Sequence, residues 1–168
     1  MSRKFSFTVS YSVPVEELHR AFTNDELWQS RFSGAQTATL DLTHPAGPGT
    51  IRIHMSEKAR PEKIPALVRK VLKNDLVLER TDDWGPLEGD VARGEFTGSS
   101  QGITSAMSGT YEMRSTAEGS QIEVAGTVSV KVPLVGGAIE TIAEQLQHRV
   151  VESEHKFIEK WLAAKAEA

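Results

Sequence analysis

Alternation with a period of two opens the chain. Over 4–11, Phe5, Phe7, Val9 and Tyr11 fall on one side and Ser6, Thr8 and Ser10 on the other, the pattern of a half-buried strand. Pro14 then opens a helix with Leu18, Ala21 and Phe22 on its apolar side, broken at Asn24 or Asp25. A second short helix carries Leu27, Trp28 and Phe32 and stops at Gly34. Residues 36–44 set Ala38, Leu40 and Leu42 on one face, and residues 50–56 do the same with Ile51, Ile53 and Met55. The run Pro45-Ala46-Gly47-Pro48-Gly49 between them predicts a hairpin. Ile64, Leu67, Val68, Val71 and Leu72 follow helical spacing, with Arg69, Lys70 and Lys73 opposite. Four more strands are predicted over 75–83, 90–98, 103–114 and 121–132. The last of them places Ile122, Val124, Gly126, Val128, Val130 and Val132 on one face. Pro133 ends the sheet. A long helix is predicted over 138–164, its stripe made of Ile139, Ile142, Ala143, Leu146, Val150, Phe157 and Trp161. The tail 163–168 is expected to fray.

Seven strands, mostly with one polar and one apolar face, precede one long amphipathic helix. This predicts an α+β fold in which an antiparallel sheet, solvated outside, curves around the helix. Two short helices follow the first strand, and an extra short helix lies between strands three and four. The element order resembles the START-like (SRPBCC) superfamily with its helix-grip fold, in which a curved seven-stranded sheet grips a C-terminal helix. The run from Phe5 through Tyr11 into Ser12-Val13-Pro14-Val15-Glu16-Glu17-Leu18 is similar to an uncharacterised actinobacterial family of that superfamily. So is Val130-Lys131-Val132-Pro133-Leu134-Val135-Gly136-Gly137-Ala138-Ile139-Glu140. The resemblance implies one domain, 1–168, with an apolar cavity between sheet and helix. It also implies kinship with pollen allergens, polyketide cyclases and lipid-transfer domains. One departure is the insert 57–74, where many members have a tight hairpin.

Composition narrows the chemistry. The chain has 168 residues, 39% hydrophobic and 25% charged, enough for one core without staples. With no cysteine, disulfides, thiolate catalysis and cysteine-ligated metals are excluded, and a reducing cytoplasm fits. The N-terminus has no apolar run behind its two positive charges, so no signal peptide is expected. A net charge of -4 gives no global footprint for nucleic acid. That charge is uneven. Between 57 and 73, Lys58, Arg60, Lys63, Arg69, Lys70 and Lys73 face only Glu57 and Glu62, a net +4. A basic amphipathic helix of this kind fits transient contact with an anionic membrane or a protein partner. It fits equally a helix packed on the domain with its charges in water.

No cofactor, metal site or catalytic residue emerges. The five histidines lack metal-pair spacing, and no phosphate-cradling or nucleophile motif occurs. Asp82 and Asp83 at a strand end read as solvated loop charge. The inward parity of Gly94, Gly98, Gly109 and Gly126 predicts either a bent sheet or removed side-chain volume inside a cavity. Ser153 falls within the helix stripe. Arg80 shares parity with Leu76, Leu78 and Trp84; on a concave face its guanidinium would hold an anionic head group, whereas parity through Val77 leaves it outside. Tyr11 and Tyr111 either orient a ligand through their hydroxyls or pack in the core. The expected lining is Phe7, Tyr11, Leu40, Ile53, Arg80, Phe96, Met107, Tyr111, Ile139, Ile142 and Leu146, facing the N-terminal half of the long helix. The function this predicts is binding, transport or sequestration of a small hydrophobic or amphipathic ligand, such as a lipid or polyketide. The alternatives are a cyclase- or aromatase-like enzyme and a docking module working through the insert.

Overall fold

A computed structural model describes residues 2–167. Seven strands form one antiparallel sheet in the order β1-β7-β6-β5-β4-β3-β2. They are β1 (Ser2–Tyr11), β2 (Ala38–Thr43), β3 (Ile51–Lys58), β4 (Val77–Trp84), β5 (Val91–Gln101), β6 (Ser105–Thr116) and β7 (Gly119–Val130). Every sequential pair from β2 to β7 lies side by side in the sheet, and β1 crosses to pair with β7, Phe5 opposite Gly126. The helices are α1 (Val15–Phe22), α2 (Asp25–Phe32), α3 (Ala66–Val71) and α4 (Gly136–Glu167). This is the predicted helix-grip architecture. Alternation was the decisive signal, since one face of each central strand is buried and the other meets solvent.

The prolines act at helix starts. Pro14 and Pro65 are themselves the N-caps of α1 and α3, where a missing N–H costs nothing. At α2 the Asn24 side chain accepts from the Glu26 amide at 2.9 Å. The buried Trp28 indole donates to the Phe22 carbonyl at 2.8 Å and ties α2 to α1.

In the insert, Ile64 and Val68 are buried and Leu67, Val71 and Leu72 pack against the core. The apolar face of α3 is therefore spent on the domain, and Arg69, Lys70 and Lys73 are exposed.

Three expectations need correction. The tail does not fray after 162: α4 runs to Glu167, since Ala, Lys and Glu are strong helix formers, and Lys165 meets Glu26 at 3.2 Å. Ala168 lies outside the described residues. The buried line of α4 is rotated from the expected stripe. It comprises Ile139, Glu140, Gln147, Val151, Glu154, Ile158 and Leu162, and Ser153 is exposed.

The third correction concerns the glycines, three of which do not open space. Phe96 pairs with Gly109, and Gly109 with Gly126. A Cβ on Gly109 would lie 2.5 Å from the Phe96 ring, and one on Gly126 2.8 Å from it. At Gly94 the Trp84 ring is 3.1 Å away. These glycines are seats for aromatic rings. Phe96 in turn packs on Tyr111, with ring centroids 4.9 Å apart, and Tyr111 stacks on Trp84 at 5.1 Å. Only at Gly98 would a Cβ find ordinary contacts, 3.4 Å from the Glu79 carbonyl and 3.6 Å from Met107.

Candidate functional site

A cavity of about 460 Å³ lies between the concave face of the sheet and the middle of α4. That volume falls within the roughly 300–1,000 Å³ of small-molecule sites. The sheet contributes Met55, Leu78, Arg80, Phe96, Gly98 and Met107; the helix contributes Ala143, Leu146, Gln147, Val150 and Glu154. Phe32, Ala35 and Ala38 close one side after α2. Leu146 remains 43% exposed, which places it at the mouth.

Beneath this apolar space sits a charged cluster. Alternation along β4 turns Leu78, Arg80, Asp82 and Trp84 to the concave side. Arg80 Nε donates to Asp82 Oδ1 at 3.0 Å and Nη2 to Asp82 Oδ2 at 2.9 Å, a two-pronged pair. Nη2 also donates to the Tyr111 hydroxyl at 2.7 Å, and that hydroxyl in turn donates to Asp82 Oδ1 at 2.9 Å. Glu154 approaches from α4, 3.8 Å from Arg80 Nη2. Asp82 is 2% and Glu154 6% exposed.

This geometry sets the electrostatics. Burial drives the Glu154 carboxyl above the usual glutamate range, Arg80 pulls it back, and Asp82 pushes it up again. Burial likewise raises the Tyr111 phenol, against the pull of Arg80, so it stays neutral and serves as a bridge. Tyr11 is also raised, by burial first and then by Glu154 and Glu159. The Arg80 guanidinium is held in its charged form by Asp82, Tyr111 and Glu154 against the cost of burial.

Arg80 thus takes the inward parity, but its positive charge is already matched. It is not the free anion receptor that its parity alone implied. Asp82, expected as a loop charge, is among the most buried side chains. The strand runs on to Trp84, so Asp82 sits within the ladder opposite Phe96.

Of the expected lining, Arg80, Phe96, Met107 and Leu146 border the cavity. The others lie elsewhere. Tyr111 is one layer below, its hydroxyl engaged with Arg80 and Asp82. Tyr11 borders a second depression with Ser12, His155 and Glu159, its ring against His155 at 4.8 Å. Phe7 is covered by His148 at 4.4 Å. Ile53 is fully buried in the core, and Leu40 packs on that core from the edge strand. Ile139 and Ile142 precede the cavity, which meets the N-terminal half of α4 as expected but from Ala143 onward, reaching Glu154 just past the midpoint.

Sequence reasoning missed the polar line on α4: Glu140, Gln147 and Glu154, seven residues apart and all buried. Glu140 accepts from the Val130 amide at 3.0 Å and closes the end of β7. Gln147 and Glu154 face the cavity. The available signal was their heptad spacing among Ile139, Val151 and Ile158, which a search for apolar periodicity passes over.

Residues 6–162 match the family described as "Protein of unknown function (DUF2505)". The chain belongs to this family. An uncharacterised protein of Mycobacterium tuberculosis is 28% identical over 170 aligned residues, covering 96% of this chain and 98% of the relative; one from Mycobacterium bovis matches equally. Among solved structures, an aromatase/cyclase from a Streptomyces species superposes with a TM-score of 0.61 at 11% identity, covering 99% and 96% of the two chains. Norcoclaurine synthase from Thalictrum flavum gives 0.57 at 12%, covering 97% and 87%. A protein of Thermus thermophilus gives 0.60 at 16%, covering 98% and 99%. At these identities the likeness is one of fold, and it shows that this DUF2505 chain has the helix-grip fold. Among the described residues, no helix is long and apolar enough to cross a membrane.

Proposed function

We propose that this DUF2505 chain acts as a single START-like domain, 1–168, that binds a small hydrophobic or amphipathic ligand, such as a lipid or polyketide. The carrying observation is the 460 Å³ cavity bordered by Leu78, Phe96, Met107, Ala143 and Val150. Apolar burial supplies most of the binding, at roughly 25 cal/mol per Å². A cytoplasmic carrier or sequestering protein accords with the absence of cysteine.

Native mass spectrometry of the protein purified from its own host, with lipid extraction, tests this. A one-to-one complex with a small apolar molecule is expected. Empty protein that also ignores a panel of apolar compounds would sink the reading. Gly98→Val supplies the structural control. Its Cβ fits, and its methyl groups enter the cavity. Ligand affinity should drop at least about tenfold, roughly 1.4 kcal/mol. The urea midpoint should hold or rise, because a strand glycine is entropically costly.

A second reading, catalysis on the bound ligand, is favoured by Glu154. It is a cavity-facing carboxyl with a raised pKa, the usual preparation of a general acid. The aromatase/cyclase and norcoclaurine synthase of the same fold support it at the level of fold alone. Glu154→Gln separates the two readings, since an enzyme loses turnover while its ligand stays bound.

The same variant carries a pH prediction. Glu154 is held above its unfolded value of about 4.3. The folded chain therefore keeps a proton that the unfolded chain releases. The resulting stability is complete below that value and is lost as pH rises through the raised one. Arg80, Asp82, Arg31 and the two buried tyrosines are the groups facing it. Relative to wild type, Glu154→Gln should gain stability in urea titrations as pH rises above about 4.3 and level off once pH has passed the raised value. A constant difference would refute the assignment.

A further inference from the structure

Gln147 presents a problem the ligand-binding reading does not by itself solve. It is 95% removed from solvent, at 5% exposure, and it borders the cavity. Its Nε2 has no hydrogen-bond partner among the described residues. Buried amide nitrogens are nearly always paired, so an unpaired one on a residue that borders the cavity is a donor for which a bound molecule can supply the acceptor. Leu146, Val150 and Met107, which line the same cavity, are apolar.

Charge restricts that partner further. Five ionisable groups border the cavity: Arg31, Glu57, Glu79, Arg80 and Glu154. Arg80 is already neutralised by Asp82 in a bidentate pair. Three carboxyl groups then stand against Arg31 alone, and its guanidinium lies over the Phe157 ring at 5.9 Å. An anionic ligand would meet acidic groups with only the Arg31 guanidinium left to offset its charge, which is unfavourable in a low-dielectric space. A neutral oxygen acceptor satisfies Gln147 and adds no charge.

We propose that the cavity selects neutral apolar molecules bearing a carbonyl oxygen, recognised by the Gln147 amide, and discriminates against carboxylates. The proposal rests on the ligand-binding reading and specifies its substrate class. It excludes ionised fatty acids, the ligands a cavity-facing arginine would otherwise suggest.

Three compounds of equal carbon number test it: undecane, methyl nonyl ketone and undecanoate, measured against the full chain at pH about 7 by native mass spectrometry and calorimetry. Methyl nonyl ketone should bind roughly tenfold more tightly than undecane, the yield of one well-made hydrogen bond. Undecanoate should bind more weakly than the ketone. In Gln147→Leu the ketone should fall to the level of undecane in the same variant.

Equal binding of ketone and undecane by the wild type would overturn the proposal and leave the ligand-binding reading standing. So would tighter binding of undecanoate, or a ketone preference that survives Gln147→Leu. If none of the three binds, both fall. The wild-type comparison alone decides the matter should a variant fold poorly.

Discussion

Asp82→Ala is expected to cost about 3–5 kcal/mol. Removing the carboxylate strands a guanidinium whose side chain is 16% exposed, and it removes the acceptor of the Tyr111 hydroxyl. Glu154, 3.8 Å away, offers only poor compensation. For a chain of this length the loss corresponds to a fall in Tm of roughly 10 °C or more. The pair itself is a different quantity. Arg80→Met combined with Asp82→Leu removes both charges and restores apolar packing, so it should recover most of the loss. Asp82→Asn keeps the shape and one acceptor and should fall between. Urea denaturation of the three variants checks the order. If the single and double variants lose equally, the cluster is not an electrostatic unit.

The second large effect is Gly109→Ala, expected to destabilise by about 3 kcal/mol, the upper end of ordinary overpacking. A Cβ there would sit 2.2 Å from the Ala125 carbonyl oxygen and 2.5 Å from the Phe96 ring. The carbonyl belongs to β7 and cannot move without opening the ladder, and the ring is wedged between Gly109, Gly126 and Phe5. Gly98→Ala, two registers away on the neighbouring strand, should be neutral or stabilising by up to about 1 kcal/mol, because its Cβ has room and the glycine entropy is recovered. The same urea series measures both. Equal effects would mean that the two glycines are equivalent, contrary to the packing.

The contrast shows what a sequence displays and what it hides. Strand alternation in β1 and β7 and the long helix were legible because burial imposes a period on apolar residues. The inward parity of Arg80 was available too, as one of two options, and Asp82 two residues on carried the same parity. Its role stayed hidden because neighbouring Asp83 and Gly85 read as a strand end. The glycines revealed a curved sheet but not what lay against them. Whether a glycine leaves space or seats a ring depends on the cross-strand partner, and the Phe96–Gly109 register is a tertiary fact. Gln147 and Glu154 were invisible for a different reason. Hydrophobic periodicity finds the residues that repel water, and a binding site adds polar ones that the core tolerates at a cost in stability.

The strand order has a consequence for how the chain is made. β1 is synthesised first and pairs only with β7, Ser2 opposite Ser129. At about 5–20 residues per second, Phe5, Phe7, Val9 and Tyr11 wait roughly 6–25 s for their partner strand to be translated. The cavity floor is equally late, since Tyr111 and Glu154 must both emerge before Arg80 and Asp82 are enclosed. Nascent chains therefore carry an unpaired apolar edge and an unshielded ion pair through most of their synthesis. The sheet edge and the charged cluster can close only once the last third of the chain has emerged.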